Sequence, residues 1–73
     1  MYAFSRKLQY LDHTRRYSIA ATTEGWEVRE ERDSKVVRQE RYQDWHRVER
    51  ARRSITTELE DLRNKGWQIV KNQ

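Results

Sequence analysis

Apolar residues recur at Trp45, Val48, Ala51, Ile55, Leu59 and Leu62, in steps of three and four. That spacing lays a single stripe along an α-helix and predicts a helix over about 44–65. Asp44 stands where an N-cap carboxylate accepts from the free N–H groups of the first turn. Gly66 stands just past the last turn, where a left-handed residue closes a helix, and Trp67 is placed to fold back onto Leu62 in a Schellman-type stop. At 1.5 Å per residue the segment is about 33 Å long.

Ahead of it the period changes to two. Tyr17, Ile19 and Ala21 alternate with polar residues, as do Trp26 and Val28 with Glu27, Arg29 and Glu31. Half-buried strands follow from this alternation, with turns at Thr23-Glu24-Gly25 and Asp33-Ser34. Strands are predicted over about 4–11, 16–22, 26–32 and 35–42, with 12–15 as a polar connection. The first is either a strand or a frayed or partner-swapped arm, because Leu8 and Tyr10 share a face that Leu11 leaves. In the last, Val36 and Tyr42 are inward candidates. Arg38 and Glu40 spoil that face, which requires a bulge, an edge position or an intersubunit pair. The order ββββα predicts one α+β domain over 1–73: an antiparallel meander sheet of three to four strands covered on one face by a single long C-terminal helix. The apolar tail 67–70 either adds a strand or packs beside the helix.

Composition makes that core thin. Of 73 residues 34% are hydrophobic and 38% charged, so a partner is expected to complete the burial, most simply as a homodimer. The absence of cysteine removes disulfides, thiolate metal sites and thiol nucleophiles. No apolar run reaches the ~20 residues of a membrane span, and Met1–Leu11 lacks a signal-peptide core. A soluble cytoplasmic protein is the expectation. Glycine-rich phosphate loops, nucleophile elbows and H-E-x-x-H are missing, and His13 and His46 fall on different elements. Neither an enzyme, a cofactor, a metal site nor a small-molecule substrate is expected.

Charge is more informative. The balance of 16 basic against 12 acidic residues gives a net +4. Arg47, Arg50, Arg52 and Arg53 crowd the first half of the helix, where the macrodipole favours acids. Arg47 and Arg50 share a side and are placed to grip consecutive phosphates or an acidic surface. If Tyr17, Trp26 and Val28 face the helix, then Arg16, Arg29 and Arg41 decorate the opposite sheet face, interrupted by Glu27 and Glu31. Tyr2, Tyr10 and Tyr42 are candidates for base stacking, whereas Trp26 and Trp45 occupy core-like positions. The candidate nucleic-acid-binding set is therefore Arg47, Arg50 and Arg53 with Arg16, Arg29, Arg41 and Tyr42. The competing reading is a solvated face with local pairs such as Glu49–Arg53 and Asp61–Lys65. Arg52 stands as the polar exception in the three-four seam, a position that can set register between two copies.

Four meandering strands followed by a long amphipathic helix resemble the repeat unit of Pur-type and Whirly-type nucleic-acid-binding proteins. The layout also resembles the DNA-binding domain of the coactivator positive cofactor four. With its Gly66-Trp67 pair it is similar to the WGR domain as well, although Trp26-Glu27-Val28 replaces the Trp-Gly-Arg signature. The resemblance lies in the order of elements and implies paired units that bind single strands. The expected function is a small non-enzymatic nucleic-acid-binding module, single-stranded or non-sequence-specific in preference and dimeric. The alternative is a protein-interaction or assembly module with no nucleic-acid binding.

Overall fold

The computed structural model describes residues 2–70, with side chains from residue 4. The chain runs β1 (Tyr2–Tyr10), β2 (His13–Thr22), β3 (Gly25–Arg32), β4 (Lys35–Tyr42), α1 (Trp45–Asn64) and β5 (Gln68–Val70). All neighbouring strands are antiparallel, in the order β4-β3-β2-β1-β5. The fold is α+β, as the alternation predicts, but the sheet has five strands. The first segment is a strand paired with β2, and the tail is a strand paired with β1. Because β4 and β5 lie on opposite edges, α1 must carry the chain across the whole sheet.

Residues opposed across an antiparallel pair project to the same face, so the register sorts the sheet. Phe4 opposes Ile19, Arg6 opposes Tyr17, and Leu8 opposes Arg15. Tyr17 opposes Glu30 and Ile19 opposes Val28; Glu30 opposes Arg38, Val28 opposes Glu40, and Trp26 opposes Tyr42. This is the face under the helix. Phe4, Leu8, Tyr17, Ile19 and Val28 meet Val48, Ala51, Ile55, Leu59 and Leu62 there as the buried core, with Trp26, Tyr42 and Trp67 packed around it.

Both predicted helix ends are present. Asp44 accepts from the His46 N–H at 2.9 Å. At the other end the Trp67 N–H donates to the Leu62 carbonyl at 3.0 Å and the Gly66 N–H to that of Arg63 at 3.1 Å, which together make the Schellman motif. Trp67 then packs on Tyr10, ring centroids 5.6 Å apart, and takes the Arg15 guanidinium on its face at 5.0 Å.

Other expectations need correction. The stretch 12–15 is mostly strand, since β2 starts at His13 after a two-residue turn at Leu11-Asp12. Asp33 holds it there: its carboxylate accepts from the Thr14 N–H at 2.9 Å and contacts His13 Nδ1 at 3.2 Å. Those hydrogen bonds, the Thr14 one foremost, keep the Asp33 carboxyl below its ordinary pKa of 3.8. Val36 does not point inward. The ladder shifts between Glu30 and Glu31, so Val36 opposes Glu31 on the open face, leaving Val36 and Val37 about half exposed, at 49% and 53%. Trp45 is not a core residue either: it is 41% exposed and leans on Trp26, centroids 5.1 Å apart. Tyr2 as a stacking residue lies outside the described side chains.

Gly25 is the tightest backbone position. Its φ is +140°, and an added Cβ would run into the Tyr42 carbonyl oxygen. Gly66 has a φ of +105°, but a Cβ there meets only the Tyr10 ring, at 3.0 Å. Gly25→Ala is therefore expected to cost about 2 kcal/mol or more and to lower Tm by roughly 8–16 °C. Gly66→Ala, where a side chain can give way, should cost about 1 kcal/mol. Thermal melts followed by circular dichroism compare the two; equal losses would show that the approach of β4 to Gly25 is not limiting.

Candidate functional site

At the end of β4 the chain leaves the sheet through Gln43 and Asp44 and turns into α1. Arg47, one turn into the helix, comes back over the strand end. The result is an open cleft of about 620 Å³ lined by Arg41, Tyr42 and Arg47 together with Trp26, Thr22 and Thr23; Glu24, Gln43 and Asp44 complete it. Adjacent residues of a strand point to opposite faces, so Arg41 enters from the open face and Tyr42 from the helix face. Trp26 lies across from Tyr42. Two guanidiniums, two aromatic side chains and two threonine hydroxyls thus meet at one mouth. Glu24 and Asp44 temper the positive charge, although the Asp44 carboxylate is engaged by the helix cap.

The groups lining the cleft are held from behind. The Tyr42 hydroxyl donates to Glu40, and Glu40 in turn takes the Arg38 Nε at 2.6 Å. Its bond to the Glu40 carboxylate is the main reason the Tyr42 phenol is pushed above its ordinary pKa of 10.0, so Tyr42 remains a neutral donor. Arg41 is restrained from the open face, its Nε lying 3.4 Å from Glu27. Glu27 also receives the Gln39 amide at 2.8 Å and Arg29 at 3.0 Å. The Gln39 hydrogen bond first, and then the charges of Arg29 and Arg41, hold the Glu27 carboxyl below its ordinary 4.5.

The seven candidate residues therefore divide. Arg41, Tyr42 and Arg47 come together in the cleft. Arg16 and Arg29 share the open sheet face with Arg41, as the alternation predicts, but Arg29 is committed to Glu27. Arg16 sits further along the same face, opposed by Lys7 and Glu31. Arg50 and Arg53 are exposed on the helix away from the cleft. Among the described residues Arg16, Arg47, Arg50 and Arg53 make no ion pair. Glu49 pairs with Arg52 at 3.8 Å rather than with Arg53, and Arg52 also lies over the Phe4 ring at 5.5 Å. Arg52 thus serves its own sheet.

Trp26, Thr22 and Thr23 were not candidates from sequence. The signal was the meander itself: with β3 and β4 antiparallel, the turn at 22–25 must sit beside the end of β4. A second polar group underlies the C-terminal half of α1. Arg15 Nη1 approaches the Tyr17 hydroxyl at 3.5 Å and Glu58 at 3.7 Å, and burial raises the Tyr17 phenol above 10.0. Glu30, buried beside it, is paired with Arg32 at 2.9 Å. These groups close the core margin and do not reach the cleft. Among the described residues no three His, Asp or Glu side chains gather as a metal site would, and no helix is long and apolar enough to cross a membrane.

Comparison with protein families, curated proteins and solved structures finds no match to this chain.

Glu27→Gln tests the restraint on Arg41. A carboxyl with a depressed folded pKa stabilises the fold above its ordinary pKa, and that contribution is lost as pH falls through the folded value. The variant is expected to melt below the parent at pH 7, with the gap closing below about pH 4 as the parent's own carboxylate protonates. Melts across pH 2–7 provide the check, and a gap independent of pH would exclude the charge as its cause.

Proposed function

We propose that this chain is a small non-enzymatic nucleic-acid-binding module, dimeric and intracellular, that takes single-stranded or non-sequence-specific nucleic acid at the β4–α1 cleft. The observation that carries the reading is the convergence of Arg41 and Arg47 with Trp26 and Tyr42 at one mouth. Guanidiniums take phosphate oxygens and aromatic faces take unstacked bases, which is how single strands are held without base-edge readout. Arg50 and Arg53, exposed and without carboxylate partners among the described residues, extend positive charge along the helix beyond the cleft. The cleft is shallow and carries its own acids, which fits weak, salt-sensitive contact better than tight capture of a small molecule.

A protein-interaction or assembly module is the second reading. It is favoured by the exposure of Val36 and Val37 on the free edge of the sheet, where charge alone offers no explanation.

Titration of a fluorescent single-stranded oligonucleotide at several salt concentrations separates the two. Binding should fall steeply as salt rises, because each phosphate contact releases counterions. Replacing both Arg41 and Arg47 with Ala is expected to reduce the slope of log K against log salt by about 1.4, two contacts at roughly 0.7 each for single strands. Arg63→Ala, at the far end of the helix, should leave it unchanged. No binding at low salt, or binding indifferent to salt, would exclude the nucleic-acid reading.

A further inference from the structure

The free edges of the sheet are unequal. β5 is three residues long, whereas β4 presents eight, Lys35–Tyr42, with no strand paired on its outer side among the described residues. A free strand edge displays unpaired N–H and C=O groups and is ordinarily blunted by charge or bulges. β4 carries both, yet it also leaves two adjacent valines half exposed. Its charges are not simply repellent: Arg38, Gln39 and Glu40 follow one another, so the segment is its own complement when read in the opposite direction.

We propose that the occupant of this edge is a second copy of the chain, its β4 running antiparallel to the first about a two-fold axis at Gln39. The proposal rests on the dimeric part of the reading above and supplies its interface. Opposed residues must share a face, so the helices of both copies lie on the same side of a ten-stranded sheet.

Charge then selects the register. With Gln39 at the axis, Arg38 lies across from the partner's Glu40 and Glu40 across from the partner's Arg38. Moving the axis one residue either way puts Glu40 against the partner's Glu40 or Arg38 against the partner's Arg38, and like charges directly opposed are unfavourable. In the single chain Arg38 and Glu40 satisfy each other along the strand; across the axis each gains a second opposite charge. Beyond Arg38 the bulge sets Val36 and Val37 together against the partner's Arg41, whose apolar stem shares the open face with Val36 and covers part of the exposed apolar surface. The contact is smaller than a standard interface of roughly 1,200–2,000 Å², so monomer and dimer are expected to exchange with concentration. Tyr42 and the partner's Tyr42 stand six residues apart along the strands, about 20 Å. A long oligonucleotide reaches both clefts, whereas a short one reaches only one.

Sedimentation equilibrium without nucleic acid tests the pairing. The parent should show a concentration-dependent dimer. Arg38→Glu and Glu40→Arg, each alone, place like charges across the axis and should weaken it at least about tenfold. An equimolar mixture of those two variants should restore a dimer, because each chain then meets its opposite; a loss through misfolding would not be rescued by mixing. Opposed Cα atoms at the axis are ~4.5–5.5 Å apart, within disulfide range. With no native cysteine, Gln39→Cys should cross-link two chains on oxidation, and Gln68→Cys on β5 should not. A monomer up to about 1 mM, cross-linking at position 68 in place of 39, or no rescue on mixing overturns the proposal. Sedimentation and oligonucleotide titration are independent readouts. A monomer that binds oligonucleotide overturns the strand pair alone, and a dimer blind to oligonucleotide supports the pair while overturning the cleft.

Discussion

One helix has to cover five strands. At about 4.8 Å between neighbours the sheet is roughly 19 Å across, whereas a helix with its side chains is about 10–12 Å wide. Entering from β4 and leaving into β5, α1 crosses the sheet and dries only a band beneath its apolar stripe. Within that band the inner face is Leu8, Tyr17, Ile19, Val28 and their helical partners, nearly free of solvent. Outside it the inner face cannot be apolar without exposing hydrocarbon to water, and it carries long charged side chains with apolar stems. Arg6 and Arg52 lie against Phe4, Arg15 covers Trp67, and Arg38 pairs with Glu40 at the β4 margin.

The same limit places the candidate site. The cleft forms at the margin where the helix first rises off the sheet and has not yet covered Trp26 and Tyr42. Its aromatic walls are core residues left half wet. Its arginines come from two elements whose relative position is fixed by the Asp44 cap and by the close approach of β4 to Gly25. Its position therefore follows from the fold, while its charge follows from Arg41 and Arg47, which the fold does not require.

This explains what was legible in the sequence. The helix was, because the 3.6-residue period, Asp44 and Gly66-Trp67 are local signals that tertiary structure did not override. β2, β3 and the open-face set Arg16, Arg29 and Arg41 followed from period two, whereas β1 stayed open between a strand and a frayed or swapped arm because Leu11 leaves the face that Leu8 and Tyr10 share. Val36 was misplaced because Arg38 and Glu40 signal an irregularity in the alternation without locating it, and a bulge inverts every facing assignment beyond it. Trp45 was misread because its position in the stripe is right but the sheet ends beneath it. β5 was undecided because three residues carry too little pattern to separate a strand from a packed tail. Of the site, the arginines were visible as types and the cleft was not, since it depends on which ends of which strands meet.

The first half of α1 bears most directly on function. Its first turn has no acid, and the sole acidic residue between Trp45 and Arg53 is Glu49, engaged with Arg52. Helix-dipole energetics would favour the reverse, by a few tenths of a kcal/mol per charge. Packing of Val48, Ala51 and Ile55 supplies far more than that, so the fold tolerates the inversion without requiring it. Nothing in the core uses Arg47, Arg50 or Arg53; their charge is free to act outward. An anion is the partner that such a helix end favours, and Arg41 approaching from the sheet adds to the same field. Under the proposed β4 pairing the two copies present this arrangement twice on one side of a continuous sheet. A flexible polyanion gains from two such weak sites through effective concentration, whereas a small anion does not. That difference is the physical reason for reading the arginines as a surface for nucleic acid rather than as a pocket for a small phosphate.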